Sequence, residues 1–309
     1  MSLVVGLAAF AGGVWLLVES VEGLIAGLRT WAAAAGMSGV VLAALVLGGD
    51  VEATAAGIAA TLDDLPGTAL GTSIGAGTFL LTTGLGIAAL VAPFRIRPPA
   101  AMLAAAVVAA LACAAVTADG RITRVDGGVL VVVFVLLVAL VVVSRPRGAQ
   151  VGAPPGAAPA PERPRRLVPR VLLGVAGLVL GAELLVFGTE RVVDRLQLDE
   201  TVFGLLVIAA AVSLEEIVLE ALPAFRGFPE LSVGNALGTL VFLVTGSLGV
   251  IALVRPLDVP EAVTHYHLPV MLVAVALAGG LLARGRMGRA EGTLLVVAYA
   301  AYAVGALVR

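Results

Sequence analysis

The chain has 309 residues, of which 60% are hydrophobic, with a mean hydropathy of +1.10 and a formal net charge of −2. A soluble domain is roughly 45–50% apolar, so this composition excludes an ordinary soluble fold and points to a helical membrane protein. The single cysteine, Cys113, excludes an intrachain disulfide and any multi-cysteine metal centre.

Taken in order, apolar runs predict ten spans. The first half gives 2–28, 35–62, 66–93, 98–117 and 125–144. The opening run resembles a signal peptide in apolarity, but it has no basic n-region and is too long, so it reads as the first span. Residues 145–170 are rich in Pro, Ala and Gly and carry Arg145, Arg147, Arg163, Arg165, Arg166 and Arg170 against one acid, Glu162; they read as a linker. The second half gives 171–195, 200–224, 230–254, 267–284 and 289–308. The domain division is therefore 1–144, linker 145–170 and 171–309.

All 19 basic residues are arginines. With the six linker arginines inside the cell, alternation of ten spans puts 13 arginines inside and 6 outside, and both termini outside. A plasma-membrane location is expected.

The two halves repeat. Gly120-Arg121-Ile122-Thr123-Arg124-Val125-Asp126-Gly127 opens the fifth span, and Gly285-Arg286-Met287-Gly288-Arg289-Ala290-Glu291-Gly292 opens the tenth, 165 residues later. Glu52 to Glu216 is an offset of 164, and Gly75 to Gly238 one of 163. Each half has five spans, an odd number, so the second copy enters the membrane from the opposite side. The expected fold is an all-α polytopic membrane protein with two inverted five-helix repeats, an architecture that places transporter sites at the midplane, on interrupted helices.

Both copies put carboxylates inside apolar runs: Asp50 and Glu52 in the second span, Glu215 and Glu216 in the seventh. A charged group at a bilayer midplane costs about 2.5–3.5 kcal/mol, so something must compensate it, and a bound cation does so directly. Protonation or a hydrogen bond to a structural acid is the alternative. Leu47-Gly48-Gly49-Asp50 predicts a helix break, and Ser213 is the only candidate breaker at the matching place, Val212–Leu214. Freed carbonyls and carboxylates suit a hard cation such as Ca²⁺ or Na⁺. Glu220, one turn beyond Glu216, reads as an acid near the end of its span.

At these residues the chain resembles the cation/calcium exchanger superfamily of membrane antiporters, over nearly its whole length apart from the linker. The family pattern is roughly G-T-S-x-P-E, about 20 residues, then G-N-x-x-G-S-N-x-x-N. Ser213, Glu216, Gly234-Asn235 and Gly238-Thr239 fall on it in the second repeat; Glu52, Gly71 and Gly75 do so in the first. Gly48 and Gly49 stand where the family has Thr-Ser, Val51 and Glu215 where it has Pro, and Ala76 where it has Ser. Leu80 and Leu243 replace its last Asn or Asp.

The resemblance implies a cation site of Glu52 and Glu216, with Ser213, Thr239 and Asn235 as further ligands; Asp50 and Glu215 match no family ligand and are candidate ligands as intramembrane acids beside them. Hydroxyls and amides also join membrane helices to one another, which is the rival role for Ser213, Thr239 and Asn235. It further implies exchange of Ca²⁺ for Na⁺ or H⁺, with the first and sixth spans moving over a fixed site. A transport-inactive scaffold or sensor with the same fold is the alternative, motivated by the missing Asn and Ser ligands. The expected partners are inorganic cations and the lipid bilayer, with no nucleic acid. No nucleophile–base set, phosphate loop or cofactor motif calls for an enzyme or a resident cofactor.

Overall fold

The computed structural model describes residues 2–35, 38–144, 167–196 and 202–307. Helices follow the apolar runs. In the first half they are α1 (Ser2–Ala35), α2 (Gly39–Val46), α3 (Val51–Leu62), α4 (Pro66–Val91), α5 (Ala100–Thr117) and α6 (Arg124–Val143). In the second they are α7 (Leu167–Leu196), α8 (Val202–Phe225), α9 (Pro229–Val254), α10 (Val263–Ala283) and α11 (Arg289–Leu307). With α2 and α3 counted as one span, eight of the described segments are long and apolar enough to cross a bilayer. The outward face of α6 is apolar and exposed, at Val129, Val132 and Leu136, as a lipid-facing helix must be.

The break between α2 and α3 lies where the two glycines predict it. Leu47 ends the first half-helix with its N–H on the Ala43 carbonyl, and residues 48–50 are not helical. Asp50 starts the second half-helix as its N-cap, with Oδ1 accepting from the Ala53 N–H at 2.7 Å. The matching break at Val212–Leu214 does not occur: α8 runs as unbroken helix from Val202 to Phe225. A single serine leaves the backbone ladder intact, whereas adjacent glycines remove both side-chain packing and helix propensity.

The fifth and tenth spans start by one device. Thr123 caps α6 in a capping box: its N–H donates to Asp126 Oδ2 at 2.8 Å, and its hydroxyl accepts from the Asp126 N–H. At the same offset of 165, the Gly288 N–H donates to Glu291 Oε2 at 2.9 Å. The turns before them need left-handed backbone, and glycine supplies it at Gly120 (φ +82°) and Gly285 (φ +77°).

The repeats interlock about a pseudo-two-fold axis. The strand β1 (Arg121–Ile122) pairs antiparallel with β2 (Leu257–Asp258), Ile122 opposite Leu257. Phe94 exchanges both backbone hydrogen bonds with Met287. Adding 165 to Ile122 gives Met287, and subtracting 163 from Leu257 gives Phe94, so one bridge is the symmetry image of the other. Gly127 against Gly249 and Gly292 against Gly86 form a second such pair, with a Cβ on any of the four meeting the opposite backbone within 3.0 Å. The first helices of the repeats, α1 and α7, pack on each other through Gly13 and Gly188, whose own Cβ would collide with the facing backbone, and through Gly181, where a Cβ would lie 3.0 Å from the Leu17 side chain.

The loops sort to two ends. Arg226 pairs with Glu22 and Arg29 stacks on Phe228 at one end, where Phe94 and Met287 also join the arginine-bearing loops that follow α4 and α10. At the other end Arg255 pairs with Asp64 and caps α3 through the Thr61 carbonyl at 3.2 Å, beside the β1–β2 ribbon.

Candidate functional site

The break sets the geometry of the site. The last carbonyls of α2 and first N–H groups of α3 have no partner inside their own half-helices, so the chain presents main-chain oxygens and an N-cap carboxylate at one point. Gly48, Gly234 and Gly238 bring the break against α9. A Cβ on Gly48 would lie 2.7 Å from the Gly238 carbonyl carbon, one on Gly238 would lie 2.5 Å from Ala44 Cα, and one on Gly234 would lie 2.4 Å from the Val40 oxygen. The G-x-x-x-G spacing of α9 is thus a close-packing device. A Cβ on Gly71 or Gly75 meets nothing within 4 Å among the described residues.

Beside this contact is a cavity of ≈180 Å³. Asp50 and Glu52 from the break, Glu215 and Glu216 from α8, and Asn235 and Thr239 from α9 all line it. Six of the seven residues singled out in the sequence therefore meet in one place. The side chain of the seventh, Ser213, lies outside the described residues. The four carboxyl groups lie within electrostatic reach of one another. Glu216 Oε2 is buried and has no hydrogen-bond partner among the described residues. Leu80 forms part of the wall, at the position where the family pattern has a polar residue, and Val175, Leu178 and Val179 of α7 close the cavity on another side. Among the described residues, no three acidic, histidine or cysteine side chains stand ready-made around one metal-sized point.

Glu215 and Glu216 are adjacent on a helix, about 100° apart, yet both line the cavity, as does Leu219 on the same helix. Glu220 is not near a span end in any accessible sense. It is 0% exposed, accepts from Asn235 Nδ2 at 2.9 Å through Oε1, and its Oε2 has no partner among the described residues. Thr239 completes a short chain by donating to Asn235 Oδ1 at 3.4 Å. The spacing Glu216–Glu220, four residues on one helix face, was the available signal for this cluster. A cross-repeat hydrogen bond, Thr54 to Ser247 at 2.9 Å, had none.

Wide turns of π-helix occur at Leu80–Gly84 in α4 and Phe242–Ser247 in α9, which overlap at an offset of 163, Leu80 on Leu243 and Gly84 on Ser247. Such turns recur at functional sites, where the extra residue re-aims side chains.

The family model for "Sodium/calcium exchanger protein" matches residues 5–143 and 167–308, which is both repeats. The chain belongs to this family. It is an all-α, multi-pass membrane protein of two inverted five-helix repeats, as the sequence predicts. Among solved structures it is similar to the sodium–calcium exchanger NCX_Mj, with a TM-score of 0.83 at 21% identity, over 97% of this chain and 98% of that one. At that identity the likeness is one of fold. It is 30% identical over 133 residues to the inner membrane protein YrbG of Escherichia coli (strain K12), which is 41% of each chain. It is 28% identical over 135 residues to the sodium/calcium exchanger MaX1 of Methanosarcina acetivorans, 43% of this chain and 39% of that one. The chain aligns with about two fifths of the length of these curated relatives.

Proposed function

We propose that this family member is a secondary active antiporter that exports Ca²⁺ across the plasma membrane in exchange for entering Na⁺ or H⁺. The observation that carries the reading is the meeting of Glu52 and Glu216, one from each inverted repeat, on a single cavity with Asp50, Glu215, Asn235 and Thr239. Hard cations such as Ca²⁺ take about six to eight oxygens, drawn here from carboxylates, an amide, a hydroxyl and carbonyls freed at the break. Ser213 belongs to the proposed shell by its place in the family pattern.

The mechanism follows from charge balance. Two carboxylates at the midplane are expensive when bare. One divalent ion neutralises them, and so do two sodium ions or two protons. Occupancy by one cargo excludes the other, and the cost of switching sides with the carboxylates bare disfavours an empty return, so the two together couple the cargoes. Alternating access comes from movement of the α1–α7 pair. These helices hold each other by close glycine contacts, and α7 supplies the wall of Val175, Leu178 and Val179, so displacing the pair uncovers the site. No resident cofactor is required and no reaction chemistry is assigned.

A second reading, a scaffold or sensor that retains the fold without transport, is favoured by one specific feature: Leu80 lines the cavity and Leu243 is fully buried where the family pattern has Asn or Asp. Flux into proteoliposomes, with Ca²⁺, Mn²⁺, Na⁺ and K⁺ exchanged one for another on each side, separates the two. Gradient-dependent Ca²⁺ uptake is expected. Absence of flux for every ion pair would leave the scaffold reading standing.

A further inference from the structure

We propose that Glu220 is a positioning residue, which holds the Asn235 amide with its carbonyl oxygen turned to the cavity and so makes Asn235 a ligand for the transported cation. The inference rests on reading the cavity as a cation site. Glu220 does not line the cavity; Asn235 does. Both are buried, at 0% and 2% exposure. The Asn235 Nδ2–H₂ donates to Glu220 Oε1 at 2.9 Å, so the acceptor end of the carboxyl faces the amide. That fixes which end of the amide faces away from it. Asn235 Oδ1 lies on the side of Thr239, itself a cavity residue, whose hydroxyl is 3.4 Å away. Glu220 is in turn locked: the Ser232 hydroxyl donates to its backbone carbonyl at 2.5 Å, and Gly84 leaves room for its stem, since a Cβ there would lie 3.0 Å from Glu220 Cγ.

The device exists in one repeat only. Subtracting 164 from Glu220 gives Ala56, and subtracting 163 from Asn235 gives Thr72 and from Ser247 gives Gly84. Glu220 of α8 faces Gly84 of α4, and the matching positions in α3 and α9 are Ala56 and Ser247. Ser247 bonds Thr54 there instead. The site is therefore asymmetric, with an amide oxygen on the second-repeat side alone. With Leu80 and Leu243 unable to coordinate, this oxygen carries more of the shell than a symmetric ligand set would ask of it.

The test uses the full-length protein and Ca²⁺ as the probe. Half-saturating Ca²⁺ for uptake, and the Ca²⁺-dependent rise in melting temperature in detergent, are measured for the parent, E220Q, E220M, N235A and E220M/N235A. Glutamine keeps an acceptor for the amide, and methionine keeps the volume without one. Half-saturation should rise about tenfold or more in E220M, as loss of an outer-shell partner of a metal ligand does, with maximal rate little changed. E220Q should stay within about twofold, since its carbonyl still accepts from Asn235. N235A and the double variant should match E220M, because both act through one oxygen. Parent-like half-saturation in E220M, equal impairment in E220Q, or additivity in the double variant would overturn the assignment alone. A parent with no response to Ca²⁺ in either measurement would overturn the cation reading together with it.

Discussion

Asp50 closes the α3 N-terminus through Oδ1, which accepts from the Ala53 N–H, while also lining the cavity. The cap and the charge are separable. Asn caps a helix as well as Asp does, so D50N should keep the parent's melting temperature, whereas D50A should lose about 1 kcal/mol. Equal loss in both variants, read from thermal or denaturant unfolding in detergent, would mean that the charge and not the cap holds the break in place. At Gly238 the constraint is steric. Any Cβ must fit against Ala44 Cα at 2.5 Å, so G238A should cost roughly 1–3 kcal/mol by overpacking. An unchanged unfolding midpoint would show that α2 and α9 do not meet so closely. Individual site residues were legible in the sequence where they broke a pattern: Glu52 and Glu216 are charges in apolar runs at matching places. Glu220 also breaks its run, but its depth was not readable. Whether an acid four residues along a helix reaches the interface or stays inside depends on how α9 packs over it, and only Asn235 and Ser232, 15 and 12 residues away, decide that.

At the scale of elements, the two halves of the second span make the sharpest contrast. Gly48 has no room for a side chain, with the Ala44 carbonyl oxygen at 2.4 Å and Gly238 behind it, while Gly49 is exposed and a Cβ there meets nothing within 4 Å. G48A should therefore destabilise the protein by roughly 1–3 kcal/mol. G49A should stay within about 0.5 kcal/mol of the parent. Comparable melting temperatures for the two variants would contradict the packing of the break. The glycine pair made this break readable from sequence. The pseudo-symmetric break in α8 was expected from Ser213 and does not exist, since family position alone does not interrupt a ladder that the local residues can sustain. The repeated motif at the fifth and tenth spans was legible as a repeat, and its physical content is a helix start: Asp126 and Glu291 cap, and Gly120 and Gly285 turn.

For the whole molecule, the odd number of spans in each half made the inverted repeat legible, and the paired bridges at Ile122–Leu257 and Phe94–Met287 express it in backbone hydrogen bonds. The sidedness is a separate matter. The arginine split of 13 to 6 predicts that the 145–170 linker is cytoplasmic and both termini external. With Cys113 replaced, single cysteines in the linker should resist an impermeant thiol reagent in intact cells and react after permeabilisation. Labelling from outside would reverse the orientation.

The central claim is that one carboxylate from each repeat holds the exchanged cation. Uptake of ⁴⁵Ca²⁺ into proteoliposomes under an outward Na⁺ or H⁺ gradient, compared among the parent, E52Q and E216Q, tests it directly. Glutamine keeps the volume and one carbonyl oxygen but removes the formal charge that a hard cation needs. Both variants should insert and fold, with melting temperatures at or above that of the parent, because a midplane charge has been removed. Uptake should be gradient-dependent in the parent and abolished in each variant. Parent-level uptake in both variants would make Glu52 and Glu216 structural acids and contradict the account.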